Sequence, residues 1–171
     1  PSSYNRCCQT EGVARGTTMD SLIPFSSLLF EGMVSTPAMR SIWSEQNTIE
    51  KWMRVEAAIT RAQIDLDIIP RDAGEQIVAN LNLERFPIDR IADKKQVHEH
   101  LMVSFLKAFR EVCGPAAEYF HIGPTTQDIL DTGLALQVRE ANEHVLQQLL
   151  SLEDILCDQA TKYRDCVMMG R

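Results

Sequence analysis

No apolar run in the sequence approaches the 18 residues of a membrane-crossing helix, and the N-terminus has no charged stretch followed by an apolar one. Neither a membrane span nor a signal peptide is therefore indicated. Basic residues are in the minority, 17 Lys and Arg against 24 Asp and Glu, for a net charge of −7. No Lys/Arg stripe stands out, which argues against a nucleic-acid partner. The five cysteines, Cys7, Cys8, Cys113, Cys157 and Cys166, are odd in number, scattered and without metal-ligand spacing; reduced thiols in a cytoplasmic protein are expected. Phosphate-binding glycine loops, nucleophile triads and metal motifs are absent, so neither a metal nor a cofactor is expected. No strand alternation rises above noise, and no internal repeat is visible.

What the chain does have is helical periodicity. Residues Pro1 to Thr18 are polar and aperiodic, which predicts a disordered or foreign leader, with Met19 a candidate natural start. An irregular, extended lead-in from Leu22 to Val34 precedes Thr36-Pro37, where Thr36 can cap a helix and Pro37 occupies its first position at no cost in hydrogen bonds. Ser44-Glu45 offers a restart. In the run to Ile69, the residues Trp52, Val55, Ile59, Ala62, Leu66 and Ile69 recur at steps of three and four and predict one buried face, which Pro70 ends. A short helix is expected over Arg71 to Leu81, a loop from Asn82 to Pro87, and a helix from Ile88 to Val112 that buries Val97, Leu101, Phe105, Phe109 and Val112 and stops at Gly114-Pro115. His98 and His100 would sit on that helix about 200° apart and could not share a metal ion.

The densest group of functional side chains is His121 to Gly133, HIGPTTQDILDTG. Pro124 stops any preceding helix, Thr125 or Thr126 can serve as N-cap, and Asp128 stands three residues after Thr125, as in a capping box. Free amides in that first turn would also accept an anion. A pattern of about 40 residues without proline then runs to Cys166, a rod of roughly 60 Å. Val138, Ala141, Val145, Leu149, Leu152, Leu156 and Tyr163 form a coiled-coil-like stripe, widened by Leu134, Leu146, Leu150 and Ile155. Such a helix needs partners, within a bundle or between subunits.

Three stretches, HIGPTTQDILDTGLALQVREA, the earlier TPAMRSIWSEQNTIEKWMRVEAAI and the closing CVMMGR, together resemble the N-terminal region of the fumarase/aspartase superfamily. Within it they are most similar to the branch of adenylosuccinate lyase and 3-carboxy-cis,cis-muconate cycloisomerase. The resemblance covers about Leu28 to Arg171. It implies an all-α chain with a helical domain over 28–124 and the first long helix of a central bundle over 125–171, residues 1–27 lying outside it. It also implies a homotetramer with active sites shared between subunits, a small anionic carboxylate substrate and no cofactor. The family removes a proton from the carbon beside a carboxylate, giving an aci-carboxylate that expels the substituent on the next carbon and leaves fumarate.

By position, the resemblance makes His121 the candidate catalytic residue and His100, Thr125, Thr126, Gln127 and Asp128 the candidate substrate-binding residues. Thr126 stands where the family usually has Ser and keeps the hydroxyl. The family's acid and base residues would lie beyond Arg171, so a fragment of a longer enzyme, inactive alone, is expected. Adenylosuccinate lyases usually carry Arg-Tyr-Ser for the nucleotide phosphate; Met33, Val34 and Ser35 stand there instead. Gln127 and Asp131-Thr132-Gly133 look more like the cycloisomerases, His100 and VMMGR more like the lyases. A non-catalytic helical oligomerisation module is the rival from another class.

Overall fold

Helix is the only regular secondary structure among the described residues of the computed structural model, which are 32–94, 100–167 and 169–170. The expectations for the leader, for the lead-in up to residue 31, and for Val97 and His98 lie outside those residues. The chain divides into two units, Pro1–Pro37 and Ala38–Arg171, and the second builds the site.

Helix α1 (Pro37–Ile42) gives way at Trp43 to α2 (Glu45–Asp65), which Ser44 caps by accepting the Asn47 N–H at 3.1 Å. The expected run to Ile69 stops sooner. Asp67 takes the left-handed conformation, φ 54°, its N–H bonding the Ile64 carbonyl while the Ile68 N–H bonds that of Gln63. These are the crossed bonds of a Schellman ending, and Asp is among the few side chains that tolerate that backbone. The buried face also differs from the apolar stripe. It consists of Ile49, Trp52, Met53, Val55, Glu56, Ala57, Thr60 and Ile64, whereas Ala62 and Leu66 are exposed. Tertiary packing has placed a carboxyl and a hydroxyl where apolarity alone would not.

After α3 (Arg71–Asn80), the single helix expected over Ile88 to Val112 proves to be two, α4 (Ile88–Asp93) and α5 (Leu101–Cys113). His100 is not a helix-interior residue. It is extended, φ −64° and ψ 134°, and caps α5 with its ring Nδ1 accepting the Met102 N–H at 3.3 Å. Rotation of the buried face follows: Leu101 is exposed, Val112 half-buried, and Met102, Phe105, Leu106 and Phe109 turn inward. A 3₁₀ turn over Gly114–Tyr119 continues where the sequence signals only a stop. The core is centred on Phe86, Phe105, Phe109 and Phe120, each no more than 1% exposed. At about 1.5 to 3 kcal/mol for each fully buried large side chain, this cluster anchors α5 and the segment that follows it.

Helix α6 (Thr126–Lys162) runs 37 residues, about 55 Å at 1.5 Å per residue, ending short of the expected Cys166. Its N-terminal part is joined closely to α2. A Cβ at Gly133 would lie 2.7 Å from Trp52 Cδ1, so only glycine permits the approach. One turn on, buried Gln137 donates to the Ile42 carbonyl at 2.9 Å and the Thr48 hydroxyl at 3.0 Å, and Glu140 pairs with Lys51 Nζ at 2.6 Å. From Val145 to Lys162 every side chain is exposed.

Candidate functional site

Phe120 is the last residue fixed by the core, its ring centroid 4.1 Å from that of Phe109. The chain must then turn from the 3₁₀ segment into α6 within five residues. It does so with two left-handed residues, His121 at φ 60° and Gly123 at φ 95°, before extended Thr125 caps the helix. Helix α2 holds this turn at two points seven residues apart, hence on one side. Glu56 Oε1 lies 2.6 Å from His121 Nδ1, and Gln63 Nε2 donates to the Ile122 carbonyl at 2.7 Å. Glu56 is completely buried, and its second oxygen, Oε2, has no hydrogen-bond partner among the described residues. Burial pushes the Glu56 carboxyl above its ordinary range, while the hydrogen bond and charge of His121 pull it back.

The start of α6 is a complete capping box. Asp128 Oδ2 accepts the Thr125 N–H at 2.7 Å and the Thr125 hydroxyl at 2.9 Å, and the Asp128 N–H approaches Thr125 Oγ1 at 3.4 Å. The Thr125 amide and hydroxyl hold the Asp128 carboxyl below its ordinary range, His121 adding a smaller effect through its charge. Gln127 Nε2 donates to Asp131 Oδ1 at 2.6 Å. The four expected residues of this helix start thus divide. Thr125 and Asp128 are engaged in the cap and Gln127 with its neighbour, while the half-buried Thr126 hydroxyl has no hydrogen-bond partner among the described residues. His121 adjoins them, whereas His100 is occupied as the cap of α5. Among the described residues no group of His, Cys, Asp or Glu could hold a metal ion.

Chemically, the turn offers an oriented imidazole, a hydroxyl without a partner among the described residues and the leading amides of a 37-residue helix, a set that favours a carboxylate. Glu56 and Gln63 were missed by pattern reading, which takes charged and amide residues in a helix for its solvent face. The available signal for Glu56 was its place in the period Trp52/Met53, Glu56, Thr60, Ile64, with Gln63 seven residues after it on the same side of α2.

The class these residues define is an all-α body with a capped long helix beside a buried carboxylate–imidazole pair. Residues 31–171 match the family model described as a lyase, and the chain belongs to that family, within the fumarase/aspartase superfamily. It is 38% identical over 137 residues to the adenylosuccinate lyase of Methanocaldococcus jannaschii, covering 80% of this chain and 30% of that one. It is 36% identical to the N-acetyl-S-(2-succino)cysteine lyase of Dickeya dadantii, covering 84% and 32%. Among solved structures, the 3-carboxy-cis,cis-muconate lactonizing enzyme of Pseudomonas putida superposes with a TM-score of 0.76 at 33% identity, covering 85% of this chain and 34% of that one. The chain spans about a third of the length of these relatives.

Proposed function

We propose that the protein acts as a lyase on a substituted succinate, cleaving a C–N bond and releasing fumarate. The β-proton beside one carboxylate leaves, its electron pair is held as an aci-carboxylate, and collapse of that intermediate expels the nitrogen substituent, which takes up a proton. In this reading Thr126 and the first amides of α6 hold a substrate carboxylate and stabilise the charge that develops on it. His121 acts at the same site, and His100 contributes to a site shared between subunits of a homotetramer. Thr125, Gln127 and Asp128 keep the helix start in shape. The remaining acid and base groups are supplied from the part of the relatives' length that these 171 residues do not represent, so the isolated chain is expected to be inactive.

The observation that carries the reading is the Thr126 hydroxyl, without a hydrogen-bond partner among the described residues, at a fully capped helix start beside His121, in a chain of the lyase family. A cycloisomerase or a non-nucleotide substrate is favoured by a different feature. Met33 and Val34 are exposed and carry neither charge nor donor for a phosphate, and leaving a charged group without its ionic partner typically costs about 2 to 5 kcal/mol. The test is a panel on the full-length protein with adenylosuccinate, 3-carboxymuconate, an S-succinylated cysteine and simple N-substituted succinates, followed by alkene absorbance. A small substituted succinate is expected to be preferred. Adenylosuccinate turnover at about 10⁵ M⁻¹s⁻¹ or better, an ordinary enzyme rate, would restore the nucleotide; lactone formation would make it a cycloisomerase; inactivity on all would leave the helical scaffold.

A further inference from the structure

We propose that Glu56 is a positioning residue for His121, accepting the Nδ1–H of its ring so that Nε2 is the atom presented for work on the substrate. The assignment rests on the lyase reading above and adds to it a residue from a separate helix. Three observations support it. First, Glu56 lies on the packed face of α2 between Met53 and Thr60 with no exposed surface, where an apolar side chain would bury at no electrostatic cost. A carboxylate in that place answers to a partner, and the partner is His121 Nδ1 at 2.6 Å, the short separation of a charge-assisted bond.

Second, the backbone is arranged to make the contact. His121 occupies the left-handed region at φ 60°, uncommon for a residue other than glycine, and that geometry is held between Phe120, seated in the aromatic core, and Ile122, whose carbonyl accepts from Gln63 of the same α2 face. Third, Glu56 Oε2 is buried with no hydrogen-bond partner among the described residues, so the carboxyl has one engaged oxygen and that oxygen faces the ring. An anion that accepts at Nδ1 fixes the tautomer: neutral, the ring carries its proton on Nδ1 and leaves Nε2 an acceptor; charged, it donates from Nε2. Either state suits a residue that meets a carboxylate substrate and a moving proton.

The test uses the full-length protein in two measurements. Solid-state nitrogen-15 NMR with labelled histidine reads the ring directly, His121 being identified as the residue whose signals vanish in His121→Asn, a replacement chosen because Asn tolerates the left-handed backbone. A protonated Nδ1 is expected; a bare Nδ1 with the proton on Nε2 would overturn the assignment. Steady-state kinetics then compare Glu56→Gln, which keeps the shape and removes the charge, in two backgrounds. Turnover should fall about ten- to a hundredfold, the range seen when the outer partner of a metal-ligating histidine is lost, with KM and the melting temperature little changed, since the Gln amide oxygen can still accept the Nδ1–H of a neutral ring and no unpaired charge is left buried. In the His121→Asn background the same change should have no further effect. An additive loss, or a fall in turnover that merely follows a fall in melting temperature, would reduce Glu56 to a structural residue. Wild-type inactivity on every substrate of the panel would overturn the lyase reading, while the protonation of Nδ1 still decides the role of Glu56.

Discussion

Two adjacent threonines with the same side chain hold different positions at the start of α6, and each can be tested by a change that spares the other. Thr126→Val keeps the branched shape and removes the hydroxyl, so turnover of the full-length protein should drop, by at most a few kcal/mol of transition-state stabilisation for one charge-assisted bond. The fold should persist, and Thr126→Ser should be nearly silent; steady-state kinetics beside circular dichroism check both. Asp128 sets a pH dependence through the cap. Because its carboxyl is held below the ordinary value, the stability it lends is present above that value and lost as pH falls through the lowered one. The melting temperatures of wild type and Asp128→Asn should therefore differ most near neutrality and converge as pH drops below about 4. Glu56 carries the opposite sign: raised by burial, it favours the folded state at low pH and loses that contribution as pH rises from the ordinary value through the raised one. Pattern reading named both Thr125 and Thr126 and the box with Asp128, but could not choose the cap, because the choice depends on Thr125 being extended, φ −86° and ψ 161°.

At the scale of elements, the contact of α6 with α2 turns on an absent side chain. Gly133→Ala would put a methyl 2.7 Å from the Trp52 ring, and because an indole cannot bend aside, the helices must part. A loss of about 1 to 3 kcal/mol is expected for such overpacking, measurable in a denaturant titration of the full-length protein. The number and order of the helices were largely legible, since Pro37, Ser44, Pro70, Pro87 and the Thr125 box all mark starts in the sequence. Two ends were not. The division of α4 from α5 depends on His100 acting as a cap through its ring nitrogen, a use for which histidine carries no sequence signal, and α2 closes on Asp67 rather than on Pro70 because crossed backbone bonds end it first.

For the whole molecule, the exposed half of α6 is the dominant fact. Val145, Leu146, Leu149, Leu150, Leu152, Ile155 and Leu156 are all between 43% and 57% exposed, an apolar area no isolated helix would display to water. Sequence periodicity places this stripe, because that needs only spacing, whereas what covers it depends on contacts that spacing does not encode. If other subunits do, the full-length protein should sediment as an oligomer, and Leu149→Glu should shift it toward smaller species by placing a charge in an apolar seam. An unchanged sedimentation coefficient would remove α6 from the interface.

The close approach of Gly133 to Trp52 also equips the protein with its own optical probe. Of the two tryptophans in the chain, Trp43 is 47% exposed and Trp52 only 4%, so replacing Trp43 with Phe isolates an indole whose surroundings are set by α6. Its emission should lie toward the blue while the helix is docked and move to the red when α6 lifts away and water reaches the ring. Dilution of the Trp43→Phe protein, followed by emission wavelength, would thus report whether loss of any partner from the exposed end of the rod loosens the helix start at the other.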